Sequence, residues 1–270
     1  MSYKRVILVD LAALGLRSNT ESAQHNSDKN TMLTHVLKHS SDFALPSLHK
    51  LGLFAAYSDA DFGTDNIPIA TYGLALTRSI VNKPLSGLRE MFDCSLSYRV
   101  SSVFEEVAKR SETVIISRFL SYLFAQEFCN LFQIGTDEAA FSELDHQLEK
   151  VETGFIYAQL PDLQEFDEKD QVNNFMNELS VVDNYLGKLM NNLHDDDLLM
   201  VVSSRVGDAQ SRDGFSTYKI LPAMLYNNQA LNHHFQEEPY VCEVGSTVLA
   251  ALGLQDSVIS PKHSLLPFMK

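Results

Sequence analysis

The stretch LLMVVSSRVGD, Leu198–Asp208, decides how this chain is read. Its first five residues, Leu198 to Val202, are all apolar and show neither strict alternation nor a 3.6-residue period. They fit a strand buried on both faces, the kind that fills the middle of a parallel sheet. The run then gives way to Ser203, Ser204 and Arg205, at the carboxyl end of the strand, where open α/β sheets place their ligands. Those three positions hold no acid, imidazole or thiol.

Similar runs occur at Val6–Val9, closed by Asp10, at Thr113–Ser117, at Gly154–Tyr157 and, more weakly, at Ala223–Tyr226. Segments of helical period separate them. Thr136 is placed to cap a helix with Asp137 and Glu138 in its first turn and Phe141, Leu144, Leu148 and Val151 along one face. The repeat from Val172 to Leu193 predicts a helix of about six turns, and Glu243–Leu252 predicts a last one stopped by Gly253. Strands alternating with helices imply βαβ crossovers, and so an α/β fold with a mainly parallel sheet and helices on both faces. No composition shift divides residues 1–270, so one domain is expected, with the Ser-, Asn- and Gln-rich stretch Leu16–Asn30 as its mobile loop. The apolar segment FLSYLFAQEFCNLF, Phe119–Phe132, reads as a buried crossover helix, with an interface as the alternative.

A chain of 270 residues, 45% of them hydrophobic, supplies a full core. Its 21 basic and 35 acidic residues give a net charge of −14, which repels phosphate backbones and anionic bilayers; neither nucleic acid nor membrane is expected as a partner. No run approaches the roughly 18 apolar residues of a membrane span, and the opening strand lacks a signal-peptide cleavage pattern. Cys94, Cys129 and Cys242 build no disulfide framework or CxxC knuckle, so a cytoplasmic location is expected. His35 and His39, four residues apart, and the doublet His233–His234 lack the pattern of metal-binding histidines and read as ordinary helix and loop side chains. GxSxG, GxxxxGK[ST] and GxGxxG motifs are absent. Asp10 and the acidic stretch Asp162–Asp170 are the carboxylates placed for a divalent cation.

Six segments carry a family resemblance: KRVILVDLAALG (Lys4–Gly15), NTMLTHVLKH (Asn30–His39), ALPSLHKLGL (Ala44–Leu53), YGLALTRSIVNKPLSGLREM (Tyr72–Met91), VVDNYLGKLMNNLHDDDLLMVVSSRVGD (Val181–Asp208) and GFSTYKILPAMLY (Gly214–Tyr226). In this order the chain resembles the phosphopentomutases of the alkaline phosphatase superfamily, over most of its length. The resemblance implies a twisted α/β core with two divalent metals, typically manganese, and makes Asp10 the counterpart of a metal-binding aspartate. It also locates departures. The family's phosphorylated threonine falls at Pro84, with Ser86 the nearest hydroxyl. The aspartate–histidine pair of its TADHG strand end falls on Ser204 and Arg205, a ligand histidine on Ser216, and two further ligand positions on Pro161 and Glu168, or on Asp162 after a slip of one residue. The family's cap domain has no counterpart in the short segment Ser86–Val107.

The resulting expectation is a single-domain, capless, alkaline-phosphatase-like core that has lost catalysis and serves as a binding or assembly partner, with another protein or with its own copies. No cofactor is expected beyond at most a single divalent cation, manganese or magnesium, held by Asp10, Asp162 and Glu168. Arg205 is expected either to supply a missing metal's charge beside Asp10 or to pair with Asp208 or Asp213. Two alternatives stand beside it: a metal-dependent phosphoester hydrolase or phosphotransferase built on Asp10, Glu168, Ser204, Arg205 and Lys219, and a sensor of a phosphorylated small molecule such as a phosphosugar or nucleotide.

Overall fold

A computed structural model describes residues 3–18, 27–28, 31–39, 44–57, 67–78, 85–92, 102–119, 129–207, 218–229, 232–254 and 263–270. Strand side chains alternate between the two faces of a sheet, and here both faces are apolar. In β1 (Arg5–Leu11), Ile7, Val9 and Leu11 enter one core while Val6 and Leu8 enter the other. This is why the sequence shows an unbroken hydrophobic run and no alternation. The remaining strands are β2 (Leu16–Ser18), β3 (Ser27–Asp28), β4 (Thr71–Leu76), β5 (Glu112–Ser117), β6 (Asn130–Gln133), β7 (Gly154–Leu160), β8 (Asp197–Val202), β9 (Tyr218–Tyr226) and β10 (His233–His234).

The main path of the sheet runs β10-β4-β9-β8-β1-β7-β5-β6, with β2 and β3 attached beside β9. From β8 to β6 every pairing is parallel. β9 runs against both its neighbours, so it brings its first residues to the edge where the parallel strands end. Helices α1 (Met32–His39), α2 (Pro46–Leu51), α3 (Leu53–Ala56), α6 (Asp137–Lys150), α7 (Asp162–Glu168) and α8 (Val172–Asn191) cover one face. On the other lie α4 (Ser86–Met91), α5 (Val103–Ala108) and α9 (Cys242–Ala251). No helix among the described residues is long and apolar enough to cross a membrane.

The three helices read from periodicity are present. Thr136 caps α6, its hydroxyl accepting the Ala139 N–H at 3.3 Å, and α9 ends at Gly253, whose φ of 74° is a left-handed conformation that glycine adopts without strain. Four expectations need correction. The segment Phe119–Phe132 is not a helix throughout: Asn130–Gln133 pairs with Val114–Ser117 as an edge strand, and residues 120–128 lie outside the described residues. An apolar run without period has no local signal separating strand from helix, and here the open edge of β5 settles it. Leu16–Asn30 is not a loop at both its ends, because Leu16–Ser18 pairs with Ser27–Asp28 and with β9. The weak run Ala223–Tyr226 belongs to a nine-residue strand that starts at Tyr218. His233–His234 forms a short strand on β4, where His234 packs edge-on against Tyr72 at 5.3 Å. His35 is exposed on α1; the His39 side chain lies outside the described residues.

Candidate functional site

The carboxyl ends of β1, β7, β5 and β8 gather around Asp10, which is fully buried. Its Oδ2 accepts the Tyr157 hydroxyl at 2.9 Å and the Gln159 side-chain amide at 3.4 Å; its Oδ1 accepts the Ser204 N–H at 2.8 Å. Gln159 is itself held by Ser117, whose hydroxyl donates to its Oε1 at 2.7 Å. Burial pushes the Asp10 carboxyl above the ordinary aspartate value, against the opposing pull of its Ser204, Tyr157 and Gln159 neighbours. No local pattern points to Tyr157, Gln159 and Ser117 as partners, because only the order of strands in the sheet places β7 beside β1 and β5 beside β7.

The loops after β1 and β8 are knitted together. The Leu14 N–H donates to the Ser203 hydroxyl at 3.2 Å, that hydroxyl donates to the Arg205 carbonyl at 2.8 Å, and the Gly15 N–H reaches the same carbonyl at 2.9 Å. Gly15 fits because a Cβ there would stand 2.8 Å from that oxygen. Ser203 is thus structural. The Ser204 hydroxyl is buried and acts on the Asp10 carboxyl, without a hydrogen bond of good geometry among the described residues. Arg205 turns its guanidinium to Glu168 at 3.4 Å and makes no hydrogen bond to Asp10, although Asp10 and Asp167 lie within its electrostatic reach. Its hydrogen-bonded acid is thus Glu168, a pairing not expected from the sequence, while Asp10 is reached only through its charge and not by the two-pronged contact expected of a metal's replacement. Asp208 and Asp213 lie outside the described residues.

On the far side of Ser204, the first turn of α4 presses in so closely that a Cβ on Gly87 would meet the Ser204 carbonyl oxygen at 2.2 Å. The preceding residue, Leu85, holds φ at 63°, a left-handed conformation that costs a non-glycine residue about 1–2 kcal/mol. Next to it, the Ser86 hydroxyl accepts the Lys219 ammonium at 2.5 Å, with Lys219 delivered by the start of the reversed strand β9. Pro84 and Ser216 lie outside the described residues.

Asp162 does not join Asp10. It exchanges backbone hydrogen bonds with Asp137: the Asp137 N–H donates to Asp162 Oδ2 at 2.8 Å and the Asp162 N–H to Asp137 Oδ1 at 3.0 Å. Glu178 completes a carboxylate cluster with these two. Burial, with Asp162 and Glu178 adding to it, pushes the Asp137 carboxyl up to about 8. Asp10, Asp162 and Glu168, read from sequence as one cation set, are therefore divided among three environments. Among the described residues, Asp137, Asp162 and Glu178 form the grouping of three or more metal-ligating side chains, and Asp10 is not in it.

No protein-family model matches the chain, and no curated protein does. Solved structures do. The alkaline phosphatase from the Antarctic bacterium TAB5 superposes with a TM-score of 0.58 at 9% identity, over 94% of this chain and 99% of the phosphatase. The fold is alkaline-phosphatase-like. A 2-O GAG sulfatase superposes with a TM-score of 0.60 at 7% identity, over 99% of this chain and 74% of the sulfatase. A protein from a glycosaminoglycan-metabolism locus of Bacteroides thetaiotaomicron does so with a TM-score of 0.57 at 10% identity, over 100% of this chain and 77% of its own length. A variant of the TAB5 phosphatase carries bound Mg.

Proposed function

We propose that this chain keeps an alkaline-phosphatase-like scaffold as a non-catalytic binding or assembly protein, descended from a phosphopentomutase-like ancestor without its cap. The observation that carries this reading is the company Asp10 keeps. Its carboxylate accepts from Tyr157, Gln159 and Ser204, three neutral protein donors, and among the described residues it belongs to no group of three metal-ligating side chains of the kind two divalent ions need. Two further features support it. Glu168, a counterpart of a ligand position, is paired with Arg205. The Val103 N–H donates to the Phe92 carbonyl at 3.0 Å, so α4 and α5 meet at the two ends of the ten-residue connection 93–102, a length that favours a chain without a cap at that place.

The related structures include an alkaline phosphatase and a sulfatase, so the test uses both ester types. Purified protein is incubated with aryl phosphate and aryl sulfate esters in manganese, magnesium or zinc. The expected result is no turnover above background, alike for the native chain and Asp10→Asn. Metal-dependent turnover that Asp10→Asn abolishes would overturn the proposal. Light scattering on the eluted protein tests the assembly side: a stable homo-oligomer identifies the partner as a second copy.

The Lys219–Ser86 hydrogen bond favours a second reading, in which the same edge binds a phosphorylated small molecule without turning it over. An ammonium has donors and no lone pair, so in this arrangement Lys219 is set to hold an anion beside Ser86 and not to take the Ser86 proton. A phosphosugar or nucleotide that binds only the folded chain must raise its melting temperature, and Lys219→Met must remove that rise.

A further inference from the structure

We propose that Asp137, Asp162 and Glu178 form a binding site for one hard divalent cation, distinct from the strand edge at Asp10. Three helices converge on it. Asp137 opens α6, Asp162 opens α7, and Glu178 lies in the second turn of α8; one ligand atom from each lies within 4.8 Å of the others. Their orientation is fixed before any ion arrives, because Asp137 and Asp162 each accept the other's backbone N–H. That exchange uses Asp137 Oδ1 and Asp162 Oδ2, and Arg118 takes Asp162 Oδ1 at 3.1 Å. It leaves Asp137 Oδ2 fully buried with no hydrogen-bond donor among the described residues. The Asp137 carboxyl faces that of Glu178, an acceptor against an acceptor, a contact that either a shared proton or a cation between them must bridge.

Charge and chemistry agree on what that centre is. With the proton of the Asp137–Glu178 pair displaced, three carboxylates bring three negative charges, Arg118 returns one positive charge on Asp162, and a dication closes the remainder. An all-oxygen donor set selects calcium, magnesium or manganese over zinc or copper, which favour nitrogen and sulfur. Asp162 and Glu178 are half-buried, so one side of the site is open to the water ligands such ions retain.

The test is calorimetric titration of the EDTA-treated full chain with calcium, magnesium and manganese chlorides, alongside thermal melts over the same concentrations. The expected result is one ion per chain and a melting temperature that climbs with the logarithm of cation concentration. Glu178→Gln, on a half-buried helix face where glutamine fits, should melt higher than the native chain in EDTA, because repulsion is relieved. It should also bind the ion at least about tenfold more weakly. Asp137→Asn should behave likewise. Glu168→Gln, outside the cluster, should keep the full response. A native chain without a cation response, or an undiminished response in Glu178→Gln, overturns the proposal. So does a response lost in Glu168→Gln alone, which would move the ion to the strand edge. None of these readouts depends on turnover, so they stand or fall separately from the reading of Asp10.

Discussion

At Asp10, three donors meet one buried carboxylate, and burial outweighs them in setting its proton affinity. The sign of the resulting pH dependence follows. The unfolded chain loses this proton near the ordinary aspartate value of 3.8, while the folded chain holds it to a higher pH. Between those two values the folded state binds more protons, so the stability that Asp10 contributes at low pH declines as pH rises, with a limiting slope of about 1.4 kcal/mol per pH unit. Urea unfolding across that window should show the decline in the native chain and a flatter profile in Asp10→Asn; equal slopes would refute it. Gly87 tests the same region sterically. Its missing Cβ is what admits α4 to within contact of the Ser204 carbonyl, and a backbone oxygen moves only with its strand. Gly87→Ala should therefore cost about 1–3 kcal/mol, measured by denaturant midpoint, and should disturb the Ser204 N–H bond to Asp10.

Elements differ in how much of their cause is local. The helix α6 carries its own instructions: a capping threonine, two acids in the first turn and one apolar face. Thr136→Ala should lower stability by about 1 kcal/mol in thermal or denaturant unfolding, because the Ala139 N–H loses its partner. Such signals lie within a few residues of one another, which is why α6, α8 and α9 were legible in the sequence, as were β1, β7 and β8 with their double-sided burial. β6 and β10 were not, since each is a short edge segment that owes its conformation to a neighbour far along the chain. The site divides in the same way. Asp10, Ser204 and Arg205 were legible as strand-end residues, and Lys219, Glu168 and Ser86 as candidates for the same edge; which of them pair, and the part of Tyr157 and Gln159, depend on strand order and crossover geometry. The Asp137–Asp162 exchange joins two helix starts 25 residues apart, a spacing that no motif records.

Across the whole molecule, the fold is shared with solved structures at around one-tenth sequence identity, as fits a scaffold whose requirements are spread over two cores. Nothing in that breadth protects a particular reaction, which is why the fold and the chemistry at Asp10 can part company. The amino ends of the strands are secured separately. Arg5 of β1 and Asp197 of β8 form a buried two-pronged pair at 2.6 and 3.0 Å, and Arg5 also donates to the Leu148 and Val151 carbonyls. Arg5→Met would strand a buried carboxylate and should cost about 3–5 kcal/mol by denaturant titration.

The two cores cannot melt apart, because β1, β7 and β8 each send alternate side chains into both, and a strand released from one face is released from the other. The proposal of a single domain therefore makes a cooperative prediction. Phe175 of α8 is buried on one face and Phe155 of β7 on the other, and each truncation to alanine should remove about 3–5 kcal/mol. Both variants should shift one shared unfolding transition, followed by far-ultraviolet circular dichroism for the backbone and by tyrosine fluorescence for packing. If Phe175→Ala and Phe155→Ala instead moved two separate transitions, the shared strands would not be coupling the faces, and the chain would have to be divided into two folding units.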